Sequence, residues 1–115
     1  MKLAIILLTS ILTLACQPCP PISPLIAAAS DGQADQIALL AKSGADLNER
    51  GGVNNWTPLM HAVHKKQLAS VRALIDAGAD VNLTAGARGR DTALRLAEID
   101  GDSDIAKTLR DHGAK

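Results

Sequence analysis

Residues 57–82 read TPLMHAVHKKQLASVRALIDAGADVN, and the architecture follows from this stretch. Thr57 offers a side-chain oxygen to a free backbone N–H of a first helical turn. Pro58 suits the first helical position, where its missing N–H costs nothing and its fixed φ helps. Leu59, Ala62 and Val63 recur at i, i+3 and i+4, which predicts a short helix with a narrow apolar face. Lys65-Lys66-Gln67 breaks the pattern at a turn. Leu68, Val71, Leu74 and Ile75 then mark the buried stripe of a second helix. Gly78 ends it, because a left-handed cap has no steric cost for glycine. Asp80 and Asn82 supply side-chain acceptors for an extended turn.

The same plan occurs on either side. Thr57-Pro58-Leu59 has echoes in Ser23-Pro24-Leu25 and Thr92-Ala93-Leu94, starting 34 residues earlier and 35 later. Gly44, Gly78 and Gly113 each stand 21 residues past a start, and Gly44-Ala45-Asp46-Leu47-Asn48 nearly duplicates Gly78-Ala79-Asp80-Val81-Asn82. The first unit is expected to bury Leu25, Ala28 and Ala29, then Ile37, Leu39 and Leu40. The third is expected to bury Leu94, Leu96 and Ala97, then Ile105, Ala106 and Leu109. A period of this length predicts stacked supersecondary units, which expose surfaces to partners.

On Thr57-Pro58-Leu59-Met60, on Gly78-Ala79-Asp80-Val81-Asn82 and on their echoes, the chain resembles the ankyrin-repeat family. The resemblance covers residues 23–115, in units of about 23–56, 57–91 and 92–115. It implies an all-α repeat fold: three helix–turn–helix units stacked into a curved slab, with hairpin-like loops projecting as fingers. It also implies a concave surface that binds proteins and carries no chemistry of its own.

Departures from the family pattern bear on that expectation. The family usually has His after Thr-Pro-Leu, bonding the loop below, where this chain has Ile26, Met60 and Arg95. That network is expected to be absent. Glycine between the two helices stands at Gly32 and Gly101 but is replaced by Lys66. Two residues follow Gly113, so the third unit is expected to carry no finger after it; Arg110, where the middle unit has Ile75, reads as part of a cap.

The resemblance places variable surface positions in the fingers and at the end of each first helix. In the middle unit these are Val53, Asn54, Trp56, His64 and Lys65; in the third, Arg88, Arg90, Asp91, Ile99 and Asp100; in the first, Ser30 and Asp31. Trp56, the only aromatic, reads either as an interface anchor or as a ring folded onto the neighbouring unit. Ile99 is expected to lie partly buried under the last helix. Arg88, Arg90 and Arg95 together could bind a carboxylate or phosphate, or form a solvated turn pairing loosely with Asp91. His61 and His64 lack a third ligand on their helix, so a metal is not expected.

The first residues belong to none of these units. Lys2 precedes a run from Leu3 to Leu14 that is apolar apart from Thr9, Ser10 and Thr13, and Thr13 and Ala15 give a small-residue cleavage pattern. The run is shorter than the roughly twenty residues of a membrane span, so residues 1–15 are expected to be an export signal. Cleavage would leave Cys16 first, which resembles the bacterial lipoprotein signal and makes Cys16 a lipidation candidate. Residues 16–22 then form a Pro- and Cys-rich tether. Cys16 and Cys19 make a Cys-x-x-Cys pair, but the flanking prolines forbid the helix a redox site needs.

With twelve basic and twelve acidic side chains in 115 residues the chain is neutral, and no basic stripe points to nucleic acid. No catalytic constellation, phosphate loop or cofactor motif stands out. The expectation is a non-enzymatic, exported protein of the bacterial envelope, periplasmic or lipid-anchored and monomeric, that binds a protein partner of unknown identity. Its roles would be to stabilise or inhibit an envelope enzyme, or to neutralise a toxin. A lipid-tethered structural accessory or self-associating subunit is the alternative.

Overall fold

The computed structural model describes residues 22–52, 54–86 and 88–115; the expected export signal, with Cys16 and Cys19, lies outside the described residues, as does Val53. Six helices follow one another there in three pairs: α1 Pro24–Asp31 with α2 Ala34–Lys42, α3 Pro58–His64 with α4 Leu68–Ala77, and α5 Ala93–Ile99 with α6 Ser103–Asp111. Helices α1, α3 and α5 stack in an inner row, α2, α4 and α6 in an outer row, and each helix packs on its own partner. The three-unit all-α stack is the observed fold. No helix among the described residues is long and apolar enough to cross a membrane.

Local chemistry sets the helix ends as the repeat predicts. The hydroxyls of Ser23, Thr57 and Thr92 accept from the N–H groups of Ile26, Met60 and Arg95 at 3.1, 3.3 and 3.1 Å. Each such cap stabilises its helix by about 1 kcal/mol. At the far end of each pair, Gly44, Gly78 and Gly113 adopt φ of 91°, 104° and 92°. That turn lets the N–H groups of Ala45, Ala79 and Ala114 return to the carbonyls of Leu40, Leu74 and Leu109, each at 3.0 Å.

Equivalent positions form equivalent rungs. Leu25, Leu59 and Leu94 are buried in the inner row, and Ala28, Ala62 and Ala97 beside them let the inner helices approach closely. Ile37, Val71, Leu74, Ile105 and Leu109 close the outer row. Two expectations fail. Leu39 is 58 % and Ile99 67 % exposed. Leu39 stands two residues from Ile37, and Ile99 two from Ala97, which at about 100° per residue turns each away from the buried stripe.

One further correction concerns the turns. Asp80 does serve its own loop, its Oδ1 accepting from Asn82 N–H at 2.9 Å. Asn82 instead reaches the next unit, donating to the Gly113 carbonyl at 3.2 Å and accepting from Lys115 N–H at 3.0 Å. Asn48 does the same one unit earlier, accepting from Asp80 N–H at 2.9 Å. These amides tie the loops of successive units. Between α3 and α4, Lys66 is held at φ 58°, the left-handed conformation that Gly32 and Gly101 occupy at 77° and 73° in the other pairs. An L side chain is strained there, so the middle pair forms at some cost.

Candidate functional site

The loops between α2 and α3 and between α4 and α5 project as two short fingers. The first closes on an antiparallel bridge, Gly51 N–H donating to the Trp56 carbonyl at 3.1 Å. The second closes on Ala85 and Asp91, which exchange two backbone bonds of 2.9 and 3.0 Å. Both are hairpin-like, as the resemblance implies. Each finger is therefore fixed at its base, where its side chains meet the helices behind.

Trp56 joins them. Its side chain is only 8 % exposed, and its indole N–H donates to Asp91 Oδ2 at 3.1 Å. The indole meets the rings of His61 and His64 edge to face, with centroids 5.7 and 5.2 Å apart. Of its two readings, the ring folded onto the next unit is the one that forms, and Trp56 offers a partner little more than its rim. His61 holds the first finger from behind. Its Nε2–H donates to the Gly51 carbonyl at 2.9 Å, since a carbonyl can only accept. The expected absence of a histidine-to-loop bond is thus corrected in the middle unit: His61 makes it from one position further along.

Around this joint lie two open recesses of about 290 Å³ each. Asn54, Trp56, His61, His64 and Lys65 line one; Arg88, Arg90, Asp91 and Arg95 line the other. Asn54, His64 and Lys65 are exposed, as are Arg88 and Arg90, while Asp91 is half-buried. His64 Nδ1 lies 3.5 Å from Asp100 Oδ2 without a hydrogen bond between them, which brings the ends of α3 and α5 close together. A larger recess of about 440 Å³, at Gly32–Gln36 on the turn of the first pair, has no cation or aromatic in its lining. Ser30 and Asp31 end α1 just before that turn.

The arginines do not pair with Asp91. Among the described residues no carboxylate oxygen lies within 4.0 Å of Arg88, Arg90 or Arg95, whereas Arg110 pairs with Glu98 across the last helix pair. The finger side thus combines exposed cations with one aromatic joint, an arrangement suited to surface recognition. No group of three His, Cys, Asp or Glu that could hold a metal occurs among the described residues. The joint itself was not legible from the sequence, because Trp56 and Asp91 stand 35 residues apart. Their near-equivalence in the repeat was the available signal.

Comparison with known proteins shows the family. A family model described as "Ankyrin repeats (3 copies)" matches residues 6–85. The ankyrin repeat and SAM domain-containing protein 6 of Rattus norvegicus is 37 % identical over 89 residues, which is 76 % of this chain and 10 % of that protein. The ankyrin repeat protein nuc-2 of Neurospora crassa is 39 % identical over 56 residues, 48 % of this chain and 5 % of that protein. The chain spans about a tenth or less of the length of these curated relatives.

Proposed function

Because the chain belongs to the ankyrin-repeat family, we propose that it is a non-enzymatic binding module that holds a protein partner against its two fingers and the adjoining end of α3. Ankyrin repeats generally mediate protein–protein interaction. One observation carries the choice of side. The Trp56–Asp91 bond joins the bases of two fingers whose described cations remain exposed, so a charged surface is presented from a braced base. Within this reading, Asn54, His64 and Lys65 contact the partner from the first finger and α3, and Arg88 and Arg90 from the second.

The chain works in the bacterial envelope as an exported monomer. Lys2, the apolar run Leu3–Leu14, and Cys16 directly after Ala15 support export and a lipid on Cys16. There the module stabilises or inhibits an envelope enzyme, or neutralises a toxin.

Affinity capture with the full chain tests the binding side. Lys65→Glu and Arg90→Ala should lose a partner that the wild type and Arg72→Ala, a change on exposed α4 surface, both retain. Equal recovery by all four forms would refute the assignment. Mass spectrometry of the mature chain should find a diacylglyceryl group on Cys16, and an intact Met1 would refute export. Light scattering should give the monomer mass; a dimer would favour the self-associating accessory instead.

A further inference from the structure

We propose that Arg88, Arg90 and Arg95 form a receptor for a phosphomonoester dianion carried on the protein partner. The inference deepens the reading of the finger side as the binding side and rests on it. Three guanidinium groups and one carboxylate line the same recess of about 290 Å³. Among the described residues the three cations have no ion-pair partner, although the third unit satisfies Arg110 with Glu98. The one acid in the lining is already engaged, because Asp91 Oδ2 accepts the indole N–H of Trp56.

Asp91 also sits against its own finger. Its carboxylate lies against the finger's own backbone, so closely that a Cβ on Gly86 would stand 2.2 Å from Oδ2. The finger is closed by the two Ala85–Asp91 bonds, and Gly89 N–H donates to the Gly86 carbonyl at 3.1 Å. Arg88 and Arg90 therefore lie in a finger closed at its base, and Arg95 on a helix whose first turn is capped by Thr92.

Charge decides the class of ligand. Three cations and one anion leave the recess with two positive charges in surplus. A phosphomonoester carries about −1.5 to −2 at neutral pH and nearly cancels them, whereas a single carboxylate leaves one uncompensated. Guanidinium forks also suit phosphate oxygens, which accept paired N–H bonds in the same plane.

The test titrates the full chain by calorimetry with a short neutral peptide bearing one phosphoserine, with the same peptide bearing glutamate, and with inorganic phosphate. The phosphopeptide should bind saturably, and its Kd should rise tenfold or more in Arg90→Gln and in Arg95→Gln while Arg110→Gln leaves it unchanged. The glutamate peptide and inorganic phosphate should each bind at least tenfold more weakly. Equal affinity for the glutamate peptide would overturn the dianion preference. Inorganic phosphate binding as tightly as the phosphopeptide would overturn the partner as its source. Equal loss in Arg110→Gln would show attraction to any surface cation and overturn the recess. Partner capture that survives Lys65→Glu, with phosphopeptide binding intact, would refute the binding side and spare the recess.

Discussion

The finger closed by Gly51 and Trp56 turns its largest side chain inward, whereas the finger closed by Ala85 and Asp91 turns Arg88 and Arg90 outward. Their backbones solve the same problem, a hairpin-like reversal between an outer helix and the next inner one. Their side chains divide the labour. Trp56 and the half-buried Asp91 hold the fingers together, and the side chains around them stay exposed. The difference teaches that aromatic character alone does not predict exposure in this chain; burial and hydrogen bonding give Trp56 a cohesive role.

Substitutions can break that division. Trp56→Ala should cost the most, about 3–5 kcal/mol, because it empties a buried aromatic site. Chemical denaturation measures it, and a loss below 1 kcal/mol would mean that the ring merely covers the loop. Asp91→Ala leaves the indole N–H without its acceptor and should cost about 1–3 kcal/mol. Gly86→Ala acts on the same joint, placing a Cβ against the Asp91 carboxylate at φ 88°, and should cost about 1–2 kcal/mol. In a double-mutant cycle, Gly86→Ala and Asp91→Ala should be markedly non-additive. Simple additivity would separate the finger's backbone from its joint.

Smaller effects sharpen the contrast. Lys66→Gly relieves the one interhelical turn that lacks glycine and should stabilise the protein by about 0.5–1 kcal/mol, seen as a higher Tm. Arg88→Gln and Arg90→Gln should each change stability by less than about 0.5 kcal/mol, since both are exposed and unpaired among the described residues. A large loss in either would move the second finger into the cohesive class.

Much of the fold was legible because its signals are local. A hydroxyl before an apolar turn, and a glycine after the last one, act within four residues of themselves, and Thr57 and Gly78 do what their chemistry predicts. Leu39 and Ile99 were misread because apolar character was given more weight than angular position, and both face away from their row's buried stripe. The site was less legible because its bonds run between units. Asn48 and Asn82 look like turn residues until the next loop is placed beside them. Likewise, nothing near Trp56 in the chain announces Asp91 as its acceptor. The arginines were visible as a group, but their freedom from Asp91 follows only from seeing that carboxylate engaged elsewhere.

Trp56 is the chain's only aromatic residue and is buried where the first finger meets the middle helix pair and the second finger, so its fluorescence reports the stack from its interior. Thermal unfolding followed by tryptophan emission and by far-ultraviolet circular dichroism is the most direct test of three units acting as one body. Native emission should be that of a buried indole, blue of free tryptophan, and both signals should change in a single transition with one midpoint. A solvent-exposed emission in the native protein, or an emission change well before the helices melt, would contradict it.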